Sequence, residues 1–432
     1  MYRHPEQAPS SLLIREALLC PPGQEVRSCD TLLQDGKIAA VASSLDAPSG
    51  TEILQAKGKY LFPSFIDAHA HLREPGQEYK EDIASGLNAA VHGGFGTVFA
   101  MGNTNPCNDA SAVTRFMLER TRTAWPHGPR LYPVGALTLG LEGTALSPMG
   151  ELAQAGCIAF SNDGRPVADT EIFRRGMEYA AQWNRIVIDH CEDPFLAKDS
   201  HMNEGRMSSR LGVKGQPTVA EALHVARDIL LAEYLDLPVH LAHISCRQSV
   251  ELLRFARERG VKVTAETCPH YLLLEETALD GYATAAKVNP PLRSAEDTAA
   301  VRKALTEGIF DILVTDHAPH AAHEKENTLD AAPNGIIGLE TAVPLTFALV
   351  RRGELTLPAF TRLWHYGPAA IFHLPAITFT PGDAADLFLF DPDREWRVSR
   401  ETLHSKSLNT PFLGQILRGQ VVAHWIGGYR LV

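Results

Sequence analysis

No two cysteines of this chain stand in a C-x-x-C spacing, and the seven present (Cys20, Cys29, Cys107, Cys157, Cys191, Cys246, Cys268) are odd in number and scattered. That excludes a disulfide framework and a thiolate zinc knuckle, and fits a reducing, cytoplasmic setting. No apolar run reaches the roughly 18 residues that span a bilayer. Met1 to Ser11, with Pro5 and Pro9, lacks the apolar region of a signal peptide, so no membrane association is expected. Basic stripes are missing too. With 40 Lys and Arg against 51 Asp and Glu the formal charge is -11, which argues against a nucleic-acid partner. No solenoid-type repeat of fixed period is present.

What is there is a chain of 432 residues, 45% hydrophobic, long enough for a barrel of about 250 residues with a smaller appendage. From Leu12 to about Tyr60 short apolar pieces are broken by turn signals. Asp35-Gly36 between Thr31–Leu33 and Ile38–Val41 reads as a hairpin. From about Leu61 to Phe372 eight short apolar runs alternate with helical stretches: Phe65–His71, Thr97–Met101, Leu131–Leu137, Ile158–Ser161, Ile186–His190, Val239–His243, Val261–Glu266 and Ile312–Thr315. Thr170–Trp183, Val219–Tyr234, Gln248–Arg259 and Ala295–Leu305 carry apolar residues at helical spacing between them. This is the count of a (β/α)₈ barrel, an α/β fold. After Phe372 the β texture returns in Asp386–Asp391 and Gly419–Trp425. We therefore expect a satellite β domain built from residues 1–60 and 373–432, flanking a barrel over 61–372.

In such a barrel the active site lies at the C-terminal ends of the strands. His69 and His71 share a strand face by their i, i+2 spacing, and Arg73 continues the alternation, placing a guanidinium where it can grip a carboxylate. The fourth run leads into Asn162-Asp163-Gly164, the fifth ends at His190, the sixth at His243, and the eighth at Asp316. Four histidines and two carboxylates are too many for one tetrahedral zinc. They suit two divalent cations with a bridging carboxylate and a bridging water. His320-Ala321-Ala322-His323-Glu324 is not a zincin motif, because the order is wrong and Pro319 breaks any helix before it.

These residues sit within a set of motifs: Asp67-Ala68-His69-Ala70-His71-Leu72-Arg73-Glu74-Pro75-Gly76, Asn103-Thr104-Asn105-Pro106, His190-Cys191-Glu192-Asp193, His243-Ile244-Ser245, Asn289-Pro290-Pro291-Leu292-Arg293, Thr315-Asp316-His317-Ala318-Pro319-His320, Gly335-Ile336-Ile337-Gly338-Leu339-Glu340-Thr341 and Asn409-Thr410-Pro411-Phe412. As a set they resemble the dihydroorotases of the amidohydrolase superfamily, of the type in which Asp replaces a carboxylated lysine bridge. The resemblance implies Zn²⁺, two per chain. His69 and His71 would hold one, His190 and His243 the other, with Asp163 bridging and Asp316 both binding metal and moving the proton. It also implies a substrate carboxylate held by Arg73, Asn103 and His320, with His71 beside it, and a ring contacted by Asn289, Asn334 and Gly335.

The implied reaction is reversible cyclisation of N-carbamoyl-L-aspartate to L-dihydroorotate, a step of pyrimidine biosynthesis. Two cations would bring a shared water to a pKa near ~7 for attack on the ring amide. Asn162 departs from the family pattern, where a second Asp is frequent. A neutral amide would bridge poorly, and spacing favours Asp163 instead. Hydantoinases and allantoinases are the nearest rivals, but they place a lysine near the end of the fourth strand, and Ile158–Asp163 has none. A catalytically dead scaffold for aspartate transcarbamoylase would be expected to lose metal ligands, and none is missing. Association with that transcarbamoylase, like a homo-oligomer, is compatible with an active enzyme. The polar stretch Ala321–Pro333 reads equally as a substrate lid and as an ordinary loop.

Overall fold

The computed structural model describes residues 11–432. Eight parallel strands, Phe65–Ala70, Phe95–Ala100, Arg130–Ala136, Ala159–Ser161, Ile186–Asp189, Val239–Leu241, Val263–Thr267 and Ile312–Leu313, pair in sequence order. Ala70 bridges His317 in parallel, and the His71 N–H donates to the His317 carbonyl at 2.8 Å, which brings the last strand back to the first. Asp67 fastens the same joint by accepting from the Thr315 N–H at 2.9 Å and its hydroxyl at 2.5 Å.

The helices between strands form for local reasons. Thr170–Gln182 starts at Asp169, whose carboxylate accepts from the Glu171 and Ile172 amides, and it buries Phe173, Gly176, Met177 and Ala180 along one face. Ala295–Thr306 is capped in the same way by Ser294. No helix among the described residues is long and apolar enough to cross a membrane.

The two ends of the chain meet in a second sheet. Leu387–Arg397 lies between Ile416–Ile426 and Tyr60–Pro63, both antiparallel to it. Tyr60–Pro63 continues to Ser11–Leu19, Arg27–Gln34 and Lys37–Ala42. The hairpin turn is Asp35-Gly36 with φ of 49° and 74°, the left-handed pair that a tight two-residue turn requires. Tyr60–Pro63 runs almost directly into the first barrel strand, so the satellite sheet is stapled to that strand's base. Phe65 packs edge-on against Phe388 at 4.8 Å between centroids, and Phe62, Phe95, Phe360 and Trp364 crowd the same seam.

Two strands end two residues short of their apolar runs. The sixth stops at Leu241 and the eighth at Leu313, and His243 and Asp316 follow with φ of 35° and 47°. Arg73 does not continue the first strand either. That strand ends at Ala70, and Arg73 reaches its position through a left-handed turn with φ 64°. Non-glycine residues pay for such conformations, and Arg73, His243 and Asp316 are three of the twelve that adopt one among the described residues.

Candidate active site

The strand ends bring the expected side chains together around Asp163. His69 Nε2 is 3.4 Å from Asp163 Oδ1 and His71 Nε2 is 3.4 Å from Oδ2. On the other side His190 Nδ1 and His243 Nε2 each lie 3.3 Å from Oδ1. One carboxylate thus belongs to two separate groups of donors, His69 and His71 in one, His190 and His243 in the other. Asn162 points elsewhere. Its Oδ1 accepts from the Thr138 amide and hydroxyl, both at 3.0 Å, and its Nδ2 donates to the Arg165 carbonyl. The neutral amide therefore tightens the loop and leaves the centre to Asp163.

Asp316 enters from the eighth strand, with Oδ1 3.2 Å from His71 Nε2 and 3.8 Å from His69 Nε2. A cavity of about 190 Å³ opens above these groups, lined by His71, Arg73, Asn103, Asp163, Gly164, His190, His243, Asn289, Asp316, Ala318, His320, Asn334 and Gly335. His69 lies beneath it, fully buried. Every residue singled out from the sequence is at this one place.

The electrostatics describe a site short of positive charge. Burial opposes ionisation of Asp163, yet the charge of His69 and hydrogen bonds from His190 and His243 hold its carboxyl well below the usual range. Burial would depress His69, but Asp163 and Glu266 raise it well above the ordinary imidazole value. Against burial, Asp163 and Glu192 push His190 up to about 10. Both shifts favour positive charge at the imidazoles. His190 Nδ1 and His243 Nε2 face each other at 3.0 Å, and the buried His69 Nε2 has no hydrogen-bond partner. Nitrogen lone pairs converging on a shared carboxylate fit divalent metal of borderline softness.

Around these donors runs a ring of groups that fix their orientation. His69 Nδ1 donates to Glu266 Oε1 at 2.7 Å, while Glu266 Oε2 lies 3.0 Å from His240 Nε2. That pairing leaves His69 Nε2 as the lone-pair nitrogen facing Asp163. His71 Nδ1 is likewise held by Asn103 Oδ1 at 2.9 Å. Asn289 Nδ2 is 3.1 Å from His190 Nε2. Glu266 was not singled out from the sequence. The available signal was a carboxylate closing an apolar barrel strand, one strand over from an inward His240, where burial demands a partner for both.

Across the cavity Arg73 Nε donates to the Pro319 carbonyl at 3.1 Å, and Nη2 is 3.3 Å from His320 Nε2. Burial draws Arg73 down to about 10, still charged at neutrality. Burial with Arg73, Lys80 and Lys325 nearby draws His320 to about 2, so its ring is neutral. This end of the cavity suits an anion and the opposite end suits cations. A third cluster, Asp189, Cys191 and Asp228, has its positive charge supplied by Arg227, at 3.0 Å from Asp189 and 2.8 Å from Asp228.

Comparison with known proteins agrees with this geometry. Residues 58–249 match the family model described as Dihydro-orotase-like. The chain is 46% identical to a dihydroorotase of Pelobacter propionicus over 97% of its own length and 98% of the relative's. It is 44% identical to one of Geobacter metallireducens over the same shares. Among solved structures it superposes on the L-hydantoinase (dihydropyrimidinase) of Arthrobacter aurescens with a TM-score of 0.85 at 23% identity, covering 98% of this chain and 96% of that one. The dihydropyrimidinase of Brevibacillus agri gives 0.80 at 24%, covering 98% and 95%. At these identities the structural matches speak to the barrel and its satellite sheet.

Proposed function

The chain belongs to the dihydroorotase family, and from that premise we propose that it interconverts L-dihydroorotate and N-carbamoyl-L-aspartate, in the cytoplasm, with metal held at Asp163 and its histidines. His69 and His71 would hold one zinc and His190 and His243 a second, with Asp163 shared and Asp316 alongside. Zinc bound there supplies Lewis acidity for the ring carbonyl and lowers the pKa of the attacking water.

The chain's own groups do the rest. Arg73, Asn103 and His320 receive the substrate carboxylate at the cationic end of the cavity, local donors prevailing over the net negative charge of the protein. Asn289 and the Asn334–Gly335 backbone contact the ring. The ring amide C–N bond breaks, water adds hydroxyl to the carbonyl carbon, and Asp316 carries the water's proton to the leaving nitrogen. Ring closure is the same path reversed. Against burial, its hydrogen bond to His71 and the charges of His69, His71 and His243 keep Asp316 below the usual carboxylate range, so it is ionised and has a site for that proton.

The observation that carries this reading is one carboxylate, Asp163, between two pairs of histidines, with Arg73 across a small cavity. No lysine lines that cavity, which sets it apart from a carboxylated-lysine centre. A homo-oligomer or a complex with aspartate transcarbamoylase goes with the same reading, and native mass with and without that partner reads it. The direct test is ring opening and ring closure by the purified chain, with hydantoin and allantoin as competing substrates. Turnover of dihydroorotate above both supports the assignment, and preference for either of the others overturns it.

A further inference from the structure

The segment between His320 and Ile336 carries one short helix, Ala322–Lys325, and otherwise no regular structure. It is nevertheless held tightly, by two buried lysines whose hydrogen-bond partners are backbone carbonyls instead of carboxylates. Lys325 Nζ donates to the carbonyls of Pro333 at 2.9 Å, Gly335 at 3.1 Å and Lys287 at 3.3 Å. Lys287 Nζ donates to those of Leu329 at 2.6 Å, Ala332 at 2.7 Å and Asp330 at 3.4 Å. An ammonium has three N–H donors, so Lys287 spends all three on this loop, and Lys325 spends two on it and the third on the Lys287 carbonyl.

The two cages meet at the cavity wall. The Gly335 N–H donates to the same Lys287 carbonyl that Lys325 contacts, at 2.9 Å, and the Gly335 carbonyl takes Asn409 Nδ2 at 3.0 Å as well as Lys325. Asn409 also fixes His320, whose N–H it accepts at 3.0 Å, and His320 Nε2 lies 2.8 Å from the Asn334 carbonyl. Gly335 has φ 131°, and a Cβ there would meet the Ala318 side chain at 2.7 Å and His320 Nε2 at 3.2 Å. The wall has almost no slack. Desolvating an ammonium is costly, and a neutral side chain with the same reach would leave the carbonyls unpaired. Burial and the Lys287 charge draw Lys325 down to about 7, and the Glu324 charge opposes them.

We propose that Lys325, seconded by Lys287, is a positioning residue for the reaction, its ammonium fixing the Asn334–Gly335 backbone as a rigid wall of the substrate pocket. The 321–333 segment is then a clamped strap and not a closing lid. This rests on the reading that Asn334 and Gly335 face the substrate.

The test uses full-length, zinc-loaded Lys325→Met and Lys287→Met, with steady-state opening of L-dihydroorotate and amide hydrogen exchange over 326–337. For Lys325→Met, KM is expected to rise about tenfold or more with kcat within about threefold, as for a lost hydrogen-bonding charge that serves ground-state and transition-state binding alike. Exchange over 333–337 should accelerate while zinc content stays that of the wild type. Lys287→Met should move KM the same way by less, with faster exchange centred on 329–332, and it carries the test if Lys325→Met does not fold. An unchanged KM, whatever the exchange does, overturns the proposal. So does a fall in kcat accompanied by zinc loss. A wild type that does not turn over dihydroorotate defeats the functional reading instead, and the exchange difference still reports on the clamp.

Discussion

The mouth of the barrel and the seam at its base use the same residue type for opposite ends. At the mouth, His69 and His190 sit among carboxylates that raise their affinity for positive charge, and His69 Nε2 is left without a partner. At the seam, His365 donates from Nδ1 to the Ser64 carbonyl at 2.8 Å and accepts the Ile377 N–H on Nε2 at 2.9 Å. His424 donates to the Val91 carbonyl at 2.8 Å and accepts the Ser64 hydroxyl at 2.7 Å. Burial draws both rings down to about 4. The mouth gathers carboxylates and imidazoles that favour positive charge, and the seam rings have both nitrogens hydrogen-bonded within the chain.

The contrast breaks most sharply at Asp316. Asp316→Asn should lower kcat about 10²–10⁴-fold, the usual worth of a general acid–base group, with melting temperature unchanged. Thermal melts and initial rates on one preparation check both. The converse substitution is Phe65→Ala in the seam, expected to cost about 3–5 kcal/mol in denaturant unfolding while the folded fraction keeps wild-type KM. If instead it shifts KM strongly, the two regions are not separable.

Glu266→Gln sharpens the account of the mouth. It loses the carboxylate that orients His69, and metal affinity should fall about 10–100-fold in chelator competition. The smallest effect is the seam's response to acid. His365 and His424 titrate near 4 when folded and near 6.5 when unfolded. Between those values the unfolded chain binds more protons, so their stabilising contribution is intact above about 6.5 and is lost as pH falls towards 4. Each ring should contribute a slope of at most about 1.4 kcal/mol per pH unit, and His365→Asn should flatten the measured stability curve by up to that amount.

Much of this was legible in the sequence because barrel strands are short apolar runs and barrel chemistry collects at their ends. The eight strands fall within two residues of their expected starts, and the histidines and aspartates that close them meet in one cavity. What was not legible depends on contacts between distant segments. The alternation carrying His69 and His71 says nothing of the left-handed turn at Arg73. Lys287 and Lys325 each resemble an ordinary surface lysine until the carbonyls of residues 329–335 are seen to surround them. Asn409 lies 89 residues from the amide it caps at His320.

The central claim is that Asp163 is shared by two cations, and metal stoichiometry by elemental analysis tests it most directly, on the wild type and Asp163→Ala with dihydroorotate turnover followed through chelation. The account predicts about two zinc ions per wild-type chain, loss of turnover with chelator and recovery on zinc addition, and loss of both metal and turnover in Asp163→Ala. A single tightly held metal with full turnover, or an Asp163→Ala protein that keeps its metal and activity, would contradict it.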